Sequence, residues 1–321
     1  MKESEIIKKL VKTFDYTDKS IIEGPGDDCA VIDLGDKKNF YIFTVDDLVE
    51  NTHFLMDYLK PSEVASRLVR MNVSDIYSMG DAVPIYCLVS SGINDKKIDN
   101  EWLADFIKAL KKELDFFGVK NIGGNISKSE TVFFTLSLCG KVSKKGITRR
   151  CGAKAEDILC CVGNMGDAKA AVETMLSKKR DFFTADEKKL FGSFVKPRIY
   201  KDYASCISKY ASSMLDNSDG LYRSLEIISE VNSLRVKLDI NSLPFVASKS
   251  LKRWSVLNHK DFKEYVISGG EDYNLIFTVP EKNINKLKSD IKDVHIIGRL
   301  ENGYGVDISE YEGKIHYFEH F

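Results

Sequence analysis

The sequence lacks a long hydrophobic run, and its charges nearly balance. The longest stretch without a charged residue, Ala82 to Asn94, is too short and too polar to cross a bilayer as a helix. The amphipathic stretch from Ile6 to Phe14 does not resemble the uncharged core of a signal peptide. Lys and Arg number 47 against 48 Asp and Glu, which argues against a nucleic-acid binder built on overall positive charge. These absences predict a soluble, cytoplasmic protein with no membrane or nucleic-acid partner.

Two further groups of motifs are missing. The seven cysteines show no CxxC spacing and are odd in number, so we expect reduced, mostly buried thiols rather than disulfides or a zinc site. No P-loop sequence occurs, and the catalytic-loop and DFG motifs of protein kinases are also missing. If the protein uses ATP, bound metal ions must largely replace a P-loop in holding the phosphates.

Short β-like runs alternate with helical ones along almost the whole chain, which is typical of α/β or α+β folds. Because 321 residues exceed the usual size of one core, we expect two domains. The charged link at Ser143-Lys144-Lys145-Gly146 suggests a boundary, giving domains of residues 1–143 and 144–321. A turn is predicted at Gly123-Gly124-Asn125, between a helix ending at Phe117 and a strand over 132–142.

Three acidic clusters stand where an apolar run meets a turn or a helix start. They are Gly26-Asp27-Asp28, Thr44-Val45-Asp46-Asp47 and Asp216-Asn217-Ser218-Asp219-Gly220. Crowded carboxylates repel one another and take up protons unless a cation or a donor network compensates. A fold that brings these clusters together would therefore form a site for divalent cations.

The predicted helix from Ser62 to Met79 adds one more carboxylate. Its apolar stripe of Val64, Leu68 and Met71 continues at helical spacing to Asp75. This carboxylate should therefore face the interior, where an unpaired charge is very costly. Metal ligation is one interpretation, and pairing with a nearby arginine or loop amide is the other.

Each acidic cluster also has a plainer interpretation. Asp27 and Asp28 could face solvent beside a glycine turn. Asp46 and Asp47 are adjacent in a strand, so only one should reach a shared site. Ser218 or Asp219 could simply cap a helix, although the same geometry would offer backbone N–H groups to an anion. A last turn, Gly269-Gly270-Glu271-Asp272-Tyr273, combines acids with an aromatic ring and suits a cationic ligand.

Seven motifs occur in order along the chain, namely Gly24-Pro-Gly-Asp-Asp28-Cys-Ala30, Thr44-Val-Asp46-Asp-Leu-Val-Glu-Asn-Thr-His53-Phe54, Asn72-Val-Ser-Asp75-Ile-Tyr-Ser-Met-Gly80, Gly123-Gly124-Asn125, Arg149-Arg150-Cys-Gly-Ala-Lys154, Asp216-Asn-Ser-Asp219-Gly-Leu221 and Ser268-Gly-Gly-Glu271-Asp272-Tyr273. They resemble the thiamine-monophosphate kinase family, a member of the AIR synthase-like (PurM-like) ATP-binding superfamily. The match extends from about residue 20 to the last residues, in family order and at family-like spacing.

The resemblance implies a two-domain AIR synthase-like fold, with a mixed N-terminal sheet that pairs in a homodimer and a C-terminal α/β domain. It implies in-line, ATP- and Mg²⁺-dependent phosphorylation of thiamine monophosphate to thiamine diphosphate, without a covalent nucleophile. Several magnesium ions would be held by Asp28, Thr44, Asp46, Asp75, Asp216 and Asp219, with Asp46, Asp75 and Asp216 catalytic through the metal. Nucleotide contacts would be Gly124, Asn125, Arg150 and Ser218. Substrate contacts would be His53, Glu271 and Phe318.

Two positions depart from the family pattern. The family's Gly-Gly-Asp-Thr segment, whose Asp is a magnesium ligand, is Gly123-Gly124-Asn125-Ile126 here, so one anionic ligand has become an amide. Asp47 stands where the family usually has Thr, and its added charge could replace the one lost at Asn125. The direction of alternate side chains along a strand argues against that replacement.

Two other functions compete with the kinase. One is a different ATP-dependent enzyme of the superfamily, such as AIR synthase, selenophosphate synthase or a hydrogenase-maturation enzyme. Selenophosphate synthase is disfavoured because its catalytic Cys or Sec has no counterpart, and the hydrogenase-maturation family because its terminal Cys is missing. The other is a nucleotide-binding protein without catalytic activity, which Asn125 favours.

Overall fold

Two six-stranded sheets, one in each half of the chain, form the framework of the protein. The computed structural model describes residues 3–313, except 15 and 17, together with residue 315. In strand order, the first sheet is β1-β2-β3-β6-β4-β5 and the second is β12-β9-β11-β7-β10-β8. Within the described residues, no helix combines the length and apolar character that a membrane span requires.

The first sheet is antiparallel except for the parallel pair β4 and β5. Its strands are β1 Ile21–Glu23, β2 Ala30–Ile32, β3 Asn39–Val49, β4 Gly80–Ile93, β5 Lys120–Lys128 and β6 Phe133–Ile147. Helices α2 (Pro61–Ser78) and α3 (Asn100–Phe117) cover one face, where Ile42, Leu48 and Leu136 are fully or almost fully buried. The short helix α1 (Glu3–Thr13) precedes this sheet.

The ends of α2 and α3 follow from their sequences. Pro61 occupies the first turn of α2, where its missing N–H costs nothing, and Glu63 accepts a 2.9 Å hydrogen bond from the Lys60 N–H. Asp99 caps α3 by accepting from the Trp102 N–H at 2.7 Å, and Gly118 ends it in the left-handed conformation. Both helices lie where the apolar periodicity predicts them.

The second sheet is antiparallel except for the parallel pair β12 and β9. Its strands are β7 Ile158–Val162, β8 Ser213–Asp216, β9 Leu234–Leu238, β10 Leu275–Val279, β11 Val294–Asn302 and β12 Gly305–Asp307. The helices of this half are α4 Asp167–Ser177, α5 Ala185–Val195, α6 Lys201–Ile207, α7 Leu221–Asn232, α8 Leu243–Val246, α9 Lys249–Leu257, α10 Phe262–Ser268 and α11 Glu281–Asp290. Cys160 and Cys161 lie on opposite faces of the fully buried β7 as free thiols.

Two expectations about the first half were wrong. Gly123-Gly124-Asn125 is not a turn but the middle of β5, where Asn125 pairs with Ser90. A side chain at Gly124 would place its Cβ 1.8 Å from the Val89 carbonyl oxygen, so glycine is needed for close approach of the two strands. The charged stretch Ser143-Lys144-Lys145-Gly146 belongs to β6, which continues to Ile147 and pairs there with Gly80. The division into residues 1–143 and 144–321 stays a prediction.

Two buried arginines of α2 attach the first half of the chain to the second. Arg67 donates to the Phe194 carbonyl oxygen at 2.7 Å, and Arg70 donates to that of Pro197 at 2.8 Å. Arg70 also forms a buried ion pair with Glu113 of α3 at 2.9 Å. These contacts hold α2 against α5 and the loop after it.

Candidate metal centre

Three aspartates converge where the two halves of the chain meet. Asp28 stands just before β2, Asp75 lies on α2 and Asp216 ends β8. One carboxylate oxygen from each lies within 4.8 Å of the other two. Asp75 is therefore not paired with Arg67 or Arg70, and its place in the apolar stripe of α2 does aim it at the cluster. The predicted convergence of acidic residues from both halves is observed.

Neighbouring hydroxyl groups orient two of these carboxylates. Thr44 Oγ1 donates to Asp75 Oδ2 at 2.6 Å, and Ser74 Oγ donates to Asp216 Oδ2 at 2.6 Å. Each hydroxyl leaves the other oxygen of its carboxylate available to a ligand. Thr44, predicted as a magnesium ligand, thus contacts the cluster through a hydrogen bond to Asp75.

Asp28 has one satisfied and one unsatisfied oxygen. Arg150 donates to Asp28 Oδ1 through Nε at 3.0 Å and through NH2 at 2.5 Å. Asp28 Oδ2 is buried and has no hydrogen-bond partner among the residues that the structure describes. A buried polar atom without a partner is costly, and a bound cation would remove that cost. The positive charge of Arg150 also balances one of the three negative charges of the cluster.

The electrostatics of the site favour a cation. Burial and the Asp28 charge raise the pKa of Asp216 to about 8. Burial and Asp46 raise the pKa of Asp75 above its ordinary value, and burial and Asp28 raise that of Asp27 to about 7. In each case the protein makes the ionised form costly, and a hard divalent ion with carboxylate ligands stabilises that form. The donor set, all oxygen and mostly anionic, fits Mg²⁺.

Asp46 and Asp47 point to opposite faces of β3, as strand alternation predicts. Thr44 and Asp46 lie on the half-buried face, whereas Asp47 is exposed beside Val45. Burial, then the charges of Asp47 and Asp219, raise the pKa of Asp46 to about 6. Asp46 therefore lies on the same face of β3 as Thr44, which contacts Asp75 of the cluster, whereas Asp47 lies on the opposite face.

The loop between β8 and α7 packs against the turn that precedes β10. The Glu271 N–H donates to the Ser218 carbonyl oxygen at 2.6 Å, and the Tyr273 N–H donates to that of Asn217 at 3.2 Å. Gly220 occupies the N-cap position of α7, with no side-chain hydrogen bond. Neither Ser218 nor Asp219 therefore occupies the N-cap position, and a helix start of this kind offers backbone N–H groups that suit an anionic group.

The predicted substrate residues have protein partners of their own. Glu271 Oε1 accepts from Arg67 NH2 at 2.5 Å, and the glutamate side chain is 32% exposed. His53 Nδ1 accepts from the Val49 N–H at 3.0 Å, which puts the proton of the neutral ring on Nε2. Phe318 lies outside the described residues. Asp272 faces away from this site and accepts from the N–H groups of Gly166 and Ala168 at the start of α4.

Gly124 and Asn125 are not part of the aspartate cluster in this chain. Both are exposed on β5, an edge strand, and Asn125 Nδ2 donates to Ser127 Oγ at 3.2 Å. Through Ser90 of β4 and Thr135 of β6, Asn125 is in register with Asp47 on β3, three strands further along the sheet. With roughly 4.8 Å between neighbouring strands, about 14 Å separates the two backbones. Asp47 therefore cannot take over the place of the missing carboxylate within one chain.

Some residues of the site were missed in the sequence. Ser74, which orients Asp216, and Asn72, which accepts from the Asp46 N–H at 3.1 Å, both flank Asp75 within a recognised motif. Their position beside Asp75 in that motif could have identified them as site residues. Arg67 could not be assigned, because its partner Glu271 is 204 positions away along the chain.

Comparison with known proteins agrees with the geometry. The family model for the N-terminal domain of AIR synthase related proteins matches residues 26–142. Thiamine-monophosphate kinase of Aquifex aeolicus is 30% identical over 296 residues, 92% of each chain. That of Buchnera aphidicola subsp. Schizaphis graminum is 33% identical over 298 residues, covering 90% of this chain and 87% of its own.

The chain belongs to the thiamine-monophosphate kinase family. Among solved structures, AaThiL complexed with AMPPCP and TMP has a TM-score of 0.88 at 29% identity, covering 100% of this chain and 97% of its own. Escherichia coli HypE, a hydrogenase maturation protein, shares the fold alone, with a TM-score of 0.68 at 14% identity over 98% of this chain and 96% of its own. The predicted AIR synthase-like fold, with a mixed first sheet, is confirmed.

Proposed function

We propose that the protein transfers the γ-phosphoryl group of ATP to thiamine monophosphate, giving thiamine diphosphate and ADP. The main support for this proposal is the convergence of Asp28, Asp75 and Asp216. Asp28 Oδ2, which has no hydrogen-bond partner among the described residues, lies in this cluster. Family membership supplies the substrate class, since the relatives are thiamine-monophosphate kinases. The complex of AaThiL with AMPPCP and TMP supports a pairing of nucleotide and thiamine monophosphate on this fold.

Magnesium would be held by Asp28, Asp75 and Asp216, with Asp46 and Asp219 as further ligands. When bound, magnesium neutralises phosphate oxygens and aligns donor and acceptor, which is most of what phosphoryl transfer requires. The chain's own contribution is to hold the ligands still. Thr44 and Ser74 fix the carboxylates of Asp75 and Asp216, so little reorganisation is needed when the cation binds.

Four features suit the phosphates of the nucleotide. Burial lowers the pKa of Arg150, but Asp28 and Asp27 outweigh that effect, so the guanidinium stays charged beside the cluster. The start of α7, at Gly220, offers backbone N–H groups and the positive end of the helix dipole. Ser218 lies in the loop that leads to this helix, where a hydroxyl can donate to phosphate. Asn125 and Gly124 would contribute from the edge strand.

Glu271, His53 and Phe318 are proposed to bind thiamine monophosphate. The thiazolium ring is cationic, and the partly exposed carboxylate of Glu271 offers a matching charge. His53 would donate from Nε2 to the phosphate, since its Nδ1 is already an acceptor. The aromatic ring of Phe318 would pack against the ligand.

The outer face of the first sheet is proposed to pair in a homodimer. It carries Phe43 and Val45 on β3 and Tyr86 and Leu88 on β4, which are 39%, 59%, 44% and 47% exposed. Across β6, the register puts Phe43 in line with Tyr86 through Cys139, and Val45 in line with Leu88 through Ser137. The four exposed side chains therefore lie in one region of this face, which we call the apolar patch. A second copy of this chain offers the same patch, which suits a two-fold interface.

A coupled assay tests the proposed function. Purified protein is incubated with ATP, Mg²⁺ and thiamine monophosphate, and thiamine diphosphate and ADP are quantified by chromatography. We expect the two products in equal amounts and no reaction when EDTA is present. ATP-binding protein that yields no thiamine diphosphate would refute the proposal and favour either another reaction of the superfamily or a binding role. Those two would be separated by the presence or absence of ADP formation with other acceptors.

A further inference from the structure

We propose that Arg67 is a positioning residue for thiamine-monophosphate recognition, acting through Glu271 from the other half of the chain. The inference rests on the proposed function, because it assumes that Glu271 contacts the substrate. It extends that function by naming what holds Glu271 and what sets the affinity for the cationic ring. Arg67 itself is buried behind the glutamate and would not touch the ligand.

The contacts of Arg67 define one orientation of its guanidinium. NH1 donates to the Phe194 carbonyl oxygen at 2.7 Å, NH2 donates to Glu271 Oε1 at 2.5 Å, and the guanidinium lies 3.9 Å from the centre of the Phe194 ring. The side chain is only 1% exposed. A buried planar group with two fixed bonds and a stacked ring has little freedom, so it presents a fixed donor to the glutamate.

Glu271 is held at one oxygen and accessible at the rest of its carboxylate. Its side chain is 32% exposed, and among the described residues only Arg67 bonds to it. Its backbone adopts φ of +61°, and its N–H donates to Ser218, so the turn itself is also fixed. The chain therefore builds a partly exposed carboxylate with Oε2 available in a set direction, which suits recognition of a cation.

The arrangement has two possible consequences for binding. If Arg67 mainly orients the carboxylate, its removal lets Glu271 turn into solvent and weakens binding. If Arg67 instead competes with the substrate for the carboxylate charge, its removal strengthens binding. The exposure of Glu271 favours orientation, because screening by water makes the competing charge effect small.

A matched control is available on the same helix. Arg70 lies one turn from Arg67, is also buried, and also donates to a carbonyl oxygen of the second half, that of Pro197. Its carboxylate partner is Glu113 of α3 rather than a residue of the substrate turn. Loss of Arg70 should therefore remove one contact between α2 and the second half, as loss of Arg67 does, while the hydrogen bond from Arg67 to Glu271 stays in place.

The experiment measures steady-state kinetics of R67M, R67Q, R67K, E271Q and R70M, with melting temperatures for each. We expect R67M and R67Q to raise KM for thiamine monophosphate about tenfold while kcat changes less than about threefold, since uniform binding is lost. R67K should recover part of the affinity, and the affinity for AMPPCP with Mg²⁺ should not change. R70M should lower the melting temperature but leave this KM near that of the wild type.

A double variant tests whether Arg67 affects substrate binding through Glu271. R67M introduced into E271Q should cause little further change in KM, because Arg67 acts through Glu271. Additive effects, an unchanged KM in folded R67Q and R67K, or a lower KM in R67M would each overturn the proposal. If R67M does not fold, R67Q and R67K carry the same test. A wild-type protein that makes no thiamine diphosphate would overturn the proposed function and this inference together, whereas an active wild type with unaffected Arg67 variants overturns this inference alone.

Discussion

Ser74 Oγ donates a 2.6 Å hydrogen bond to Asp216 Oδ2, across 142 positions of the sequence. Both residues are buried, and they join α2 of the first half to the end of β8 in the second. The same α2 residue precedes Asp75 and therefore links two of the three converging carboxylates. The metal centre thus depends on how the two halves are docked, not on either half alone.

Ser74→Ala should weaken magnesium binding. Without the hydroxyl, Asp216 loses its orienting donor, and a bond to a charged group contributes about 1.5–3 kcal/mol. We expect the Mg²⁺ concentration for half-maximal rate to rise about tenfold or more, as measured by titration of the rate. Ser78→Ala on the same helix is the control, because Ser78 Oγ donates to the Asp75 backbone oxygen instead. Equal effects in both variants would mean that only helix stability had changed.

Asn125→Asp should increase the apparent affinity for magnesium. The residue is exposed on an edge strand, so an added carboxylate should leave the melting temperature nearly unchanged. If β5 contributes to the nucleotide site, we expect the half-saturating Mg²⁺ concentration to fall about threefold, since one more anionic ligand is available. Asn121→Asp adds the same charge on the same strand, where the side chain accepts from the Gly123 N–H. Identical magnesium dependence in both variants would show that position 125 has no special role.

Val45→Lys should dissociate the proposed dimer. Val45 lies within the apolar patch of the first sheet and is 59% exposed in the single chain. A lysine buried on each side of a two-fold interface would leave two unpaired charges, which is costly. We expect light scattering to report a dimer for the wild type and a monomer for the variant. Val256→Lys, at a 75% exposed position of α9, should stay dimeric. A wild-type monomer would contradict the proposed pairing.

Asp167→Asn should change how stability depends on pH. Burial raises the pKa of Asp167 from 3.8 to about 6, although Ser248 and Ser193 donate to it. The folded protein therefore binds more protons than the unfolded chain in that window, and its stability falls as pH rises through it. Relative to the wild type, the free energy of unfolding of Asp167→Asn should therefore increase by about 2 kcal/mol between roughly pH 4.5 and 7.5.

Urea unfolding at both pH values measures this difference. Asp186→Asn is the control, because hydrogen bonds from Arg253 and Ser250 lower the pKa of Asp186 below its ordinary value of 3.8. Its contribution to stability is lost only as pH falls below that value, so the difference between wild type and Asp186→Asn should stay nearly constant between the two pH values. A constant difference between wild type and Asp167→Asn across the range would mean that burial does not raise the pKa of Asp167.

Local patterns predicted the elements that carry the site. The apolar periodicity of α2 placed Asp75 toward the interior, and alternation along β3 separated Asp46 from Asp47. The end of α3 at Phe117 agrees with the sequence prediction, because Gly118 directly after it is a clear stop signal. These features depend on residues close together in the chain, which is why the sequence reveals them.

Long-range contacts could not be predicted in the same way. β5 consists entirely of exposed residues and contains two glycines, so neither burial nor propensity marks it as a strand. Pairing with β4 along most of its length holds it in place. The Arg67–Glu271 and Arg70–Glu113 pairs likewise depend on how helices dock, since a sequence offers many acids to each arginine.

We propose that the converging aspartates bind the magnesium used to phosphorylate thiamine monophosphate. This is tested most directly by measuring thiamine diphosphate formation by the wild type and by Asp75→Asn, with melting temperatures measured beside the rates. We predict magnesium-dependent product formation by the wild type and a loss of at least about 100-fold in kcat for the variant, which keeps the Thr44 contact but loses the anionic ligand. Normal turnover by a folded Asp75→Asn protein, or formation of thiamine diphosphate without divalent metal, would contradict the claim.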